Sequence, residues 1–292
     1  VDHLKLSIIT PVYNGEQFIE PCIKNVIAQN CAHIEHIIID GNSKDRTVEI
    51  IKQYAKRYQH IVWISEKDRG QSDAMNKGIA MARGKVISFL NDDDFYEPNV
   101  FNRVIEIFKT LPESSLLVGN CNVRSEDGTI EAVNKSSKMK LSDLLLGILV
   151  NPIPLNPTAY FYHKSLHEKV GLYKIMYYAM DVDFLMRAVQ VAKIKYVNET
   201  WGNSVLREHS KTGREMKSGK SYIRHQSIIR SYRKDLPFFQ RLIVAIKYEL
   251  YYKEKIGTIK SKYERFKYYV KNVRKIPTMI KRKINNRFSV RK

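Results

Sequence analysis

The run Asn91-Asp92-Asp93-Asp94 is where this sequence concentrates its chemistry. It follows Val86 to Leu90, a short apolar run that reads as a buried strand, so three carboxylates crowd one strand end. Adjacent carboxylates repel, and each like-charge pair is costly unless something positive sits among them. A divalent cation is the natural partner. Oxygen ligands select Mg²⁺ or Mn²⁺, which keep further coordination positions for water and phosphate oxygens. Asp runs also fill turns and cap helices, and Asp94 could cap a helix opening at Pro98. Asp40 and Asp68 also stand just beyond apolar runs, and a fold that brings those ends to one rim favours the cation reading.

The elements that must position these acids can be read from periodicity. Leu6 to Val12 is apolar and β-branched and is ended by Pro11 and the turn-prone Asn14-Gly15, which predicts a buried strand. Phe18, Ile19, Cys22, Ile23, Val26 and Ile27 recur at helical spacing. His36 to Asp40 is the next strand, and a helix with Val48, Ile50, Ile51, Tyr54 and Ala55 inward follows it. Ile61 to Ser65, Ala74 to Arg83 and Val86 to Leu90 continue as strand, helix, strand, and a further helix starts at Pro98. Uniformly apolar strands alternating with helices predict a parallel sheet covered on both faces. Ligands bind such sheets beyond the carboxyl ends of the strands, where Asn14, Asp40, Glu66 to Asp68 and Asn91 to Asp94 all fall. After Asp94 the pattern changes. Leu116 to Val123 and Thr129 to Val133 read as a hairpin, Ala159 to Tyr162 as a strand, and Asp183 to Ala192 as a helix with Phe184, Leu185, Ala188 and Val189 inward.

The net charge of +20 over 292 residues suggests nucleic acid until it is located. Residues 221–292 hold 21 Lys and Arg against 4 Asp and Glu, and the preceding 220 hold 29 against 26. The charge belongs to a tail, which divides the chain into a near-neutral body, 1–220, and a basic appendage, 221–292. Three cysteines, Cys22, Cys31 and Cys121, share no metal-ligand spacing and cannot all pair, so reduced thiols in a cytosolic setting are expected. Val1 to Lys5 lead directly into the first strand, so no leader is expected, and Leu144 to Val150 is far short of the ~20 residues that span a bilayer.

Five segments, in order and in register, make the sequence resemble glycosyltransferase family 2. They are Ile8-Ile9-Thr10-Pro11-Val12-Tyr13-Asn14, Ile39-Asp40-Gly41-Asn42-Ser43-Lys44-Asp45-Arg46-Thr47, Ser65-Glu66-Lys67-Asp68-Arg69-Gly70, Asp73-Ala74-Met75-Asn76-Lys77-Gly78 and Asn91-Asp92-Asp93-Asp94-Phe95-Tyr96. The likeness is strongest over residues 5 to about 100 and weaker to about 212, and it is closest to bacterial enzymes of O-antigen and capsule synthesis. It implies an α/β GT-A fold, a mostly parallel central sheet flanked by helices, with a nucleotide-sugar half (about 1–100) and an acceptor half (about 101–220). It implies that Thr10, Pro11, Tyr13, Asp40, Asp68, Asp92 and Arg207 bind the nucleotide-sugar donor. Asp93, Asp94 and His209 then hold Mn²⁺ or Mg²⁺, and Asp181, in Ala179-Met180-Asp181-Val182-Asp183, is the catalytic base. Two departures stand out. Gly41 replaces the second Asp common after this strand, which can contact uracil, and Asn91 replaces the first Asp of the metal motif. Bland alternatives exist for each residue: Asp40 as a turn residue, Asp181 as a helix N-cap, His209 as a structural histidine, and Gly78 and Gly84 as packing positions.

The reading that follows is an inverting, metal-dependent glycosyltransferase with a UDP-sugar donor and a saccharide or lipid-linked saccharide acceptor. In the tail, Phe238, Phe239, Leu242, Ile243, Ile246, Leu250 and Tyr251 recur at helical spacing among basic residues, which suits an anionic membrane surface. That predicts a cytoplasmic protein, peripheral on the inner face of the cytoplasmic membrane. A helical hairpin packed on the body and a nucleic-acid-binding arm are the other readings of the tail. A non-catalytic nucleotide-binding or nucleic-acid-binding protein is the alternative function.

Overall fold

The computed structural model describes residues 5–147, 151–154, 156–207, 210, 213, 214, 218 and 220–257. The chain opens with β1 (Leu6–Val12), α1 (Ile19–Ala28), β2 (Ile34–Asp40), α2 (Thr47–Arg57), β3 (Ile61–Ser65), α3 (Gln71–Met81) and β4 (Val86–Phe89). β1 pairs in parallel with β2 and β4, and β2 with β3. The register sets Val12 beside Asp40 and Asp40 beside Ser65, and Leu90 N donates to Ile9 O at 3.0 Å. All four strands therefore end on one rim, and every loop that leaves it starts from the same level.

Alternation along the strands sorts side chains between two faces. Leu6, Ile8 and Val12 of β1 meet Cys22, Val26 and Ile19 of α1. Ile9, together with Ile37 and Ile39 of β2, meets Ala74, Met75 and Ile79 of α3 on the other face. Contact with α3 is close enough that a side chain on Gly78 would collide with Ile9, so this glycine serves packing, as expected.

The second half completes a nine-stranded sheet in the order β3-β2-β1-β4-β8-β6-β9-β5, with β7 beside β6. Its elements are β5 (Phe95–Tyr96), α4 (Val100–Phe108), β6 (Ser115–Arg124), β7 (Ile130–Lys135), α5 (Leu141–Leu144), a 3₁₀ turn (Pro157–Ala159), β8 (Tyr160–His163), α6 (Leu166–Val170), α7 (Met180–Ala188) and β9 (Lys193–Val205). β8 is antiparallel to β4 and β6, and β9 is parallel to β6. The expected hairpin is present as β6–β7. β9 went unread because Lys193 to Thr200 has no apolar run, and its alternation breaks at Tyr196-Val197 and again at Asn198-Glu199-Thr200. α4 starts after Asn99, whose φ of 60° is left-handed, so Pro98 lies outside its first turn. α7 begins three residues before the expected Asp183, which brings Asp181 into its first turn.

α8 (Lys220–Asp235) and α9 (Phe238–Gly257) follow. The expected boundary coincides with the start of α8 but does not separate an appendage. Ile229 of α8 is fully buried in the same core as Leu144, Leu145 and Phe184, and Val244 of α9 joins it. Arg233 Nε donates to Leu145 O at 2.6 Å, and Lys247 Nζ reaches Asp143 Oδ1 at 2.7 Å. Along its described part the tail is thus a pair of helices packed on the body. The opposite side of α9 is open, with Phe238 and Phe239 60% and 76% exposed and Leu242, Ile243 and Ile246 beside them. Among the described residues no helix is long and apolar enough to cross a membrane.

Candidate active site

The loops at the strand ends are laced together by their own polar groups. Asn14, at a left-handed φ of 52°, receives Lys44 N on its Oδ1 at 2.9 Å while its own N donates to Ser43 Oγ at 2.8 Å. Gly15 N donates to Thr47 Oγ1 at 2.8 Å, and Arg46 N to Glu16 Oε2 at 3.0 Å. Asp40 is the centre of this lacing. Its fully buried carboxylate accepts from Asn42 N and Ser43 N, both at 3.1 Å, from Ser65 Oγ at 2.6 Å and from Ser43 Oγ. Four donors occupy its lone-pair directions. Expected as a direct nucleoside ligand, Asp40 is placed by the structure as the residue that holds the loop.

Thr10 also departs from expectation. It shares the α1 face of β1 with Ile8 and Val12, is fully buried, and its Oγ1 lies 2.9 Å from His36 Nε2. Strand alternation points it away from the rim, so its side chain does not line the cleft. Pro11, Tyr13 and Asp68 do line it, with Asp92, Asp93 and Asp94, around a volume of about 680 Å³. Tyr13 is 61% exposed at the mouth. Asp68 Oδ1 accepts from Gly70 N at 2.8 Å, and a side chain on Gly41 would meet Asp68 Oδ2 and the Tyr13 ring. The space that residue 41 would fill is therefore already taken by Asp68.

The acid run divides by role. Asp94, 5% exposed, accepts from Asn156 Nδ2 at 2.7 Å, Asn91 Nδ2 at 2.8 Å and Val205 N at 3.1 Å. It ties the β4 end to the 3₁₀ turn and to β9 while lining the cleft, and the cap position of α4 falls to Asn99 instead. Burial, with the Asp93 charge next, pushes its carboxyl up to about 7. Asn91 makes sense in this setting: its amide donates to Asp94 where a fourth carboxylate would add repulsion. Asp92 is also pushed up to about 7, by burial and then by Asp93. A side chain on Gly15 would collide with the Asp92 carboxylate, so the first loop closes tightly over it. Asp93 is raised by burial and lowered by Arg207, whose Nε stands 3.9 Å from Asp93 Oδ2 while its guanidinium lies 4.4 Å from the Phe18 ring centroid.

Asp181 stands apart from this cleft. It is not among the lining side chains; its carboxylate accepts from Val182 N at 2.9 Å and burial raises it. Helix capping does not explain it, because Ala179 occupies the N-cap with φ 57°. His209 lies outside the described residues, and so do Leu250 and Tyr251 as side chains. Asn156 lines the cleft and belongs to the loop 154–158 that the sequence suggests as a wall of the acceptor pocket, whereas Gln71, Ser204 and Arg214 line it and were not singled out from sequence.

Among the described residues no group of three or more His, Cys, Asp or Glu side chains is arranged to hold a metal. Asp92 and Asp93 nonetheless fit a Mg²⁺ or Mn²⁺ that takes few protein ligands and completes its sphere with phosphate and water. Both carboxylates are held above their ordinary range by burial, with Arg207 as the neighbouring cation, so a further positive charge would relieve them.

The sequence profile described as glycosyl transferase family 2 matches residues 7–170. The chain is 29% identical over 215 residues to the uncharacterized glycosyltransferase EpsJ of Bacillus subtilis, covering 70% of this chain and 61% of that protein. It is 25% identical over 202 residues to the chondroitin synthase of Escherichia coli, covering 69% and 29%. The chain therefore spans less than two thirds of the length of these relatives. Among solved structures it resembles S. aureus TarS 1-349 in complex with UDP-GlcNAc, with a TM-score of 0.63 and 17% identity over 83% of this chain and 71% of that one. It also resembles the mannosyltransferase PcManGT of Pyrobaculum calidifontis in complex with GDP-Man and Mn²⁺, with a TM-score of 0.60 and 14% identity over 85% and 70%.

Proposed function

This chain belongs to glycosyl transferase family 2, with the GT-A fold, and from that premise we propose that it transfers a sugar, with inversion, from a UDP-sugar to an acceptor hydroxyl in bacterial surface-polysaccharide synthesis. The observation that carries this reading is the cleft itself. Exposed Tyr13 and the Asp68 carboxylate stand at one end of a rim whose other end holds Asp92 and Asp93, an arrangement suited to a nucleoside joined to a diphosphate. Tyr13, Pro11 and Asp68 take the nucleoside, and Thr10 and Asp40 act behind them by fixing the loop. Asp93, with Asp92 beside it, holds Mn²⁺ or Mg²⁺. When bound, such a cation supplies neutralisation of the charge that develops as the nucleoside diphosphate leaves. Arg207, already drawn to Asp93, contributes positive charge at the same place. Asp181 takes the acceptor proton as the hydroxyl oxygen attacks the anomeric carbon. The relatives' names, a chondroitin synthase among them, support a saccharide acceptor.

Turnover of a panel of nucleotide sugars, with Mn²⁺ and with chelator, tests this directly. UDP-sugars are expected to be consumed only with the cation, and NMR of a transferred sugar is expected to show an inverted anomeric centre. Tight nucleoside diphosphate binding with no turnover of any donor would leave the non-catalytic nucleotide-binding alternative in its place.

The open face of α9 supports a second, separate reading. Exposed Phe238, Phe239, Leu242 and Ile246, on a segment of 21 basic and 4 acidic residues, suit an anionic membrane and so a peripheral position on the cytoplasmic face. Full-length protein is expected to float with anionic liposomes at low salt, and the Phe238→Asp, Phe239→Asp double variant to stay behind. Preference for nucleic acid over those vesicles would overturn it.

A further inference from the structure

The acid end of the cleft has a wall that the proposed chemistry does not use. Phe18 lines the cleft just ahead of α1, and the Arg207 guanidinium lies over its ring, 4.4 Å from the centroid. Both residues are placed by their backbone. Phe18 N donates to Gly15 O at 2.9 Å, so one turn sets Gly15 over the Asp92 carboxylate and Phe18 under Arg207. From the other side, Val205 N donates to Asp94 Oδ1 at 3.1 Å and Leu206 N to Arg124 O at 2.7 Å, which fixes the chain up to the residue before Arg207. Just beyond, Ser210 N and Ser210 Oγ donate to Arg207 O at 3.1 and 2.8 Å. The first loop and the end of β9 thus meet at the acid run, with Phe18 against Arg207.

Arg207 is held differently from a structural ion pair. Its Nε stands 3.9 Å from Asp93 Oδ2, beyond hydrogen-bond reach, and among the described residues this buried Nε has no hydrogen-bond partner. By contrast, Arg187 Nε donates to Asp183 Oδ2 at 2.9 Å. A ring face and the nearby charge of Asp93 hold the Arg207 side chain, whereas its Nε is a buried donor that a phosphate oxygen would satisfy. A guanidinium stacks flat on an aromatic face and also matches phosphate geometry, so the same group suits both settings.

We propose that Phe18 is the positioning residue that seats Arg207 as the resident counter-charge of Asp92 and Asp93, so that a divalent cation binds this pair well only together with a nucleoside diphosphate, which draws Arg207 onto its own phosphate oxygens. The inference rests on the reading of Asp92 and Asp93 as the cation site. Two positive charges beside one carboxylate repel each other, so Arg207 and the metal compete for Asp93 until the diphosphate supplies negative charge for both. Binding therefore has an order: the protein alone holds the cation weakly, and the nucleotide completes the site.

The test is Mn²⁺ binding to the full-length, nucleotide-free protein, read by electron paramagnetic resonance of the free ion, beside calorimetry of UDP with Mn²⁺ present. Arg207→Gln is expected to raise nucleotide-free Mn²⁺ affinity by ~3-fold or more while lowering the affinity for UDP with Mn²⁺. Phe18→Leu, which removes the ring and keeps an apolar side chain, is expected to move both affinities in those same directions, by ~3-fold where the cation–π contact is lost. Phe18→Tyr is expected to restore both. Added to Arg207→Gln, Phe18→Leu is expected to change neither, because the two side chains act as one unit. Arg214→Gln removes a different cation of the cleft lining and is expected to leave nucleotide-free Mn²⁺ affinity within about 2-fold, since an exposed charge is screened. Far-UV circular dichroism and a thermal melt establish that each variant is folded, with Phe18→Met as the second ringless replacement. A nucleotide-free Mn²⁺ affinity that Arg207→Gln leaves unchanged or lowers overturns the inference. So does an equal gain in Arg214→Gln, or a Phe18→Leu effect that persists without Arg207. Mn²⁺-dependent UDP binding untouched by Asp93→Asn overturns instead the cation-site reading beneath it.

Discussion

Asp93 differs from the two carboxylates that flank it in what already occupies its oxygens. Asp94 accepts from Asn91, Asn156 and Val205, and Asp92 is enclosed under Gly15, while Asp93 faces Arg207 at 3.9 Å. Asp93→Asn is therefore expected to weaken Mn²⁺-dependent UDP binding by at least ~10-fold, with metal-free binding little changed, as isothermal calorimetry with and without Mn²⁺ reads out. Unchanged metal-dependent affinity would remove Asp93 from the cation site. Because burial holds Asp92 at about 7, protons compete with the cation below that pH, and Mn²⁺ affinity is expected to fall as pH drops through it. Asp181 lies outside the lining of this cleft, and under the proposed function it serves chemistry rather than donor binding. Asp181→Asn is expected to leave UDP affinity intact and to lower turnover by ~10²-fold or more. Collapse of UDP binding in that variant would make Asp181 a structural residue or a nucleotide ligand.

At the scale of elements, β2 carries a buried histidine that links fold stability to pH. His36 is fully buried beside Thr10, and burial, with the field of His60, pushes it down to about 3. The unfolded chain binds a proton at about 6.5 that the folded strand refuses until about 3. Stability contributed by the neutral ring is thus complete above about 6.5 and is lost as pH falls toward 3, at up to about 1.4 kcal/mol per pH unit for one proton. His36→Gln is expected to flatten this slope in urea melts followed from pH 7 to pH 4. An unchanged slope would assign the acid sensitivity to other groups. The same element shows how local reading succeeds and then stops. His36 and Ile38 share the α1 face with Thr10 and Val12, as strand alternation requires, yet it was the family resemblance, not the strand period, that suggested Thr10 and Asp40 as nucleoside ligands. Asp40 was legible as a rim residue; that its polar atoms and those of Thr10 are consumed by Ser43, Ser65 and His36 depended on partners 25 or more residues away for Ser65 and His36.

For the molecule as a whole, α8 and α9 alter what counts as the folded unit. Ile229, Leu236 and Val244 share the core with α5 and α7, so removing residues 220–292 is expected to expose apolar surface on the body and cause aggregation. Ile229→Ala, a gentler change, is expected to cost ~2–5 kcal/mol in chemical denaturation, as for other buried large-to-small replacements. A loss below about 0.5 kcal/mol would mean that α8 is a loosely attached appendage after all. Arg233 and Lys247 reinforce the docking through Leu145 O and Asp143, which leaves Phe238 and Phe239 as the outward face of the same pair of helices.

What the sequence determined by itself is what neighbours in the chain encode. The apolar runs of β1 to β4 and the helical spacing of α1 to α3 are local patterns, each present within a few residues of where its period placed it, and the common rim at Asn14, Asp40, Asp68 and Asp92 follows from the parallel pairing of those strands. The five motifs added the family, because their order samples that rim at several points. Tertiary structure alone decided the rest. β9 forms because β6 offers it a partner, although Lys193 to Thr200 carries no buried run and only Trp201 to Asn203 is buried. Asp94 becomes a brace because Asn156, 62 residues away, is carried to it by the 3₁₀ turn. α8 is part of the body because Ile229 finds the core of α7 and not because its basic composition announces it. Periodicity fixes which side of an element is apolar, but only the closing of long-range contacts fixes what that side meets, and with it which carboxylates remain free to act.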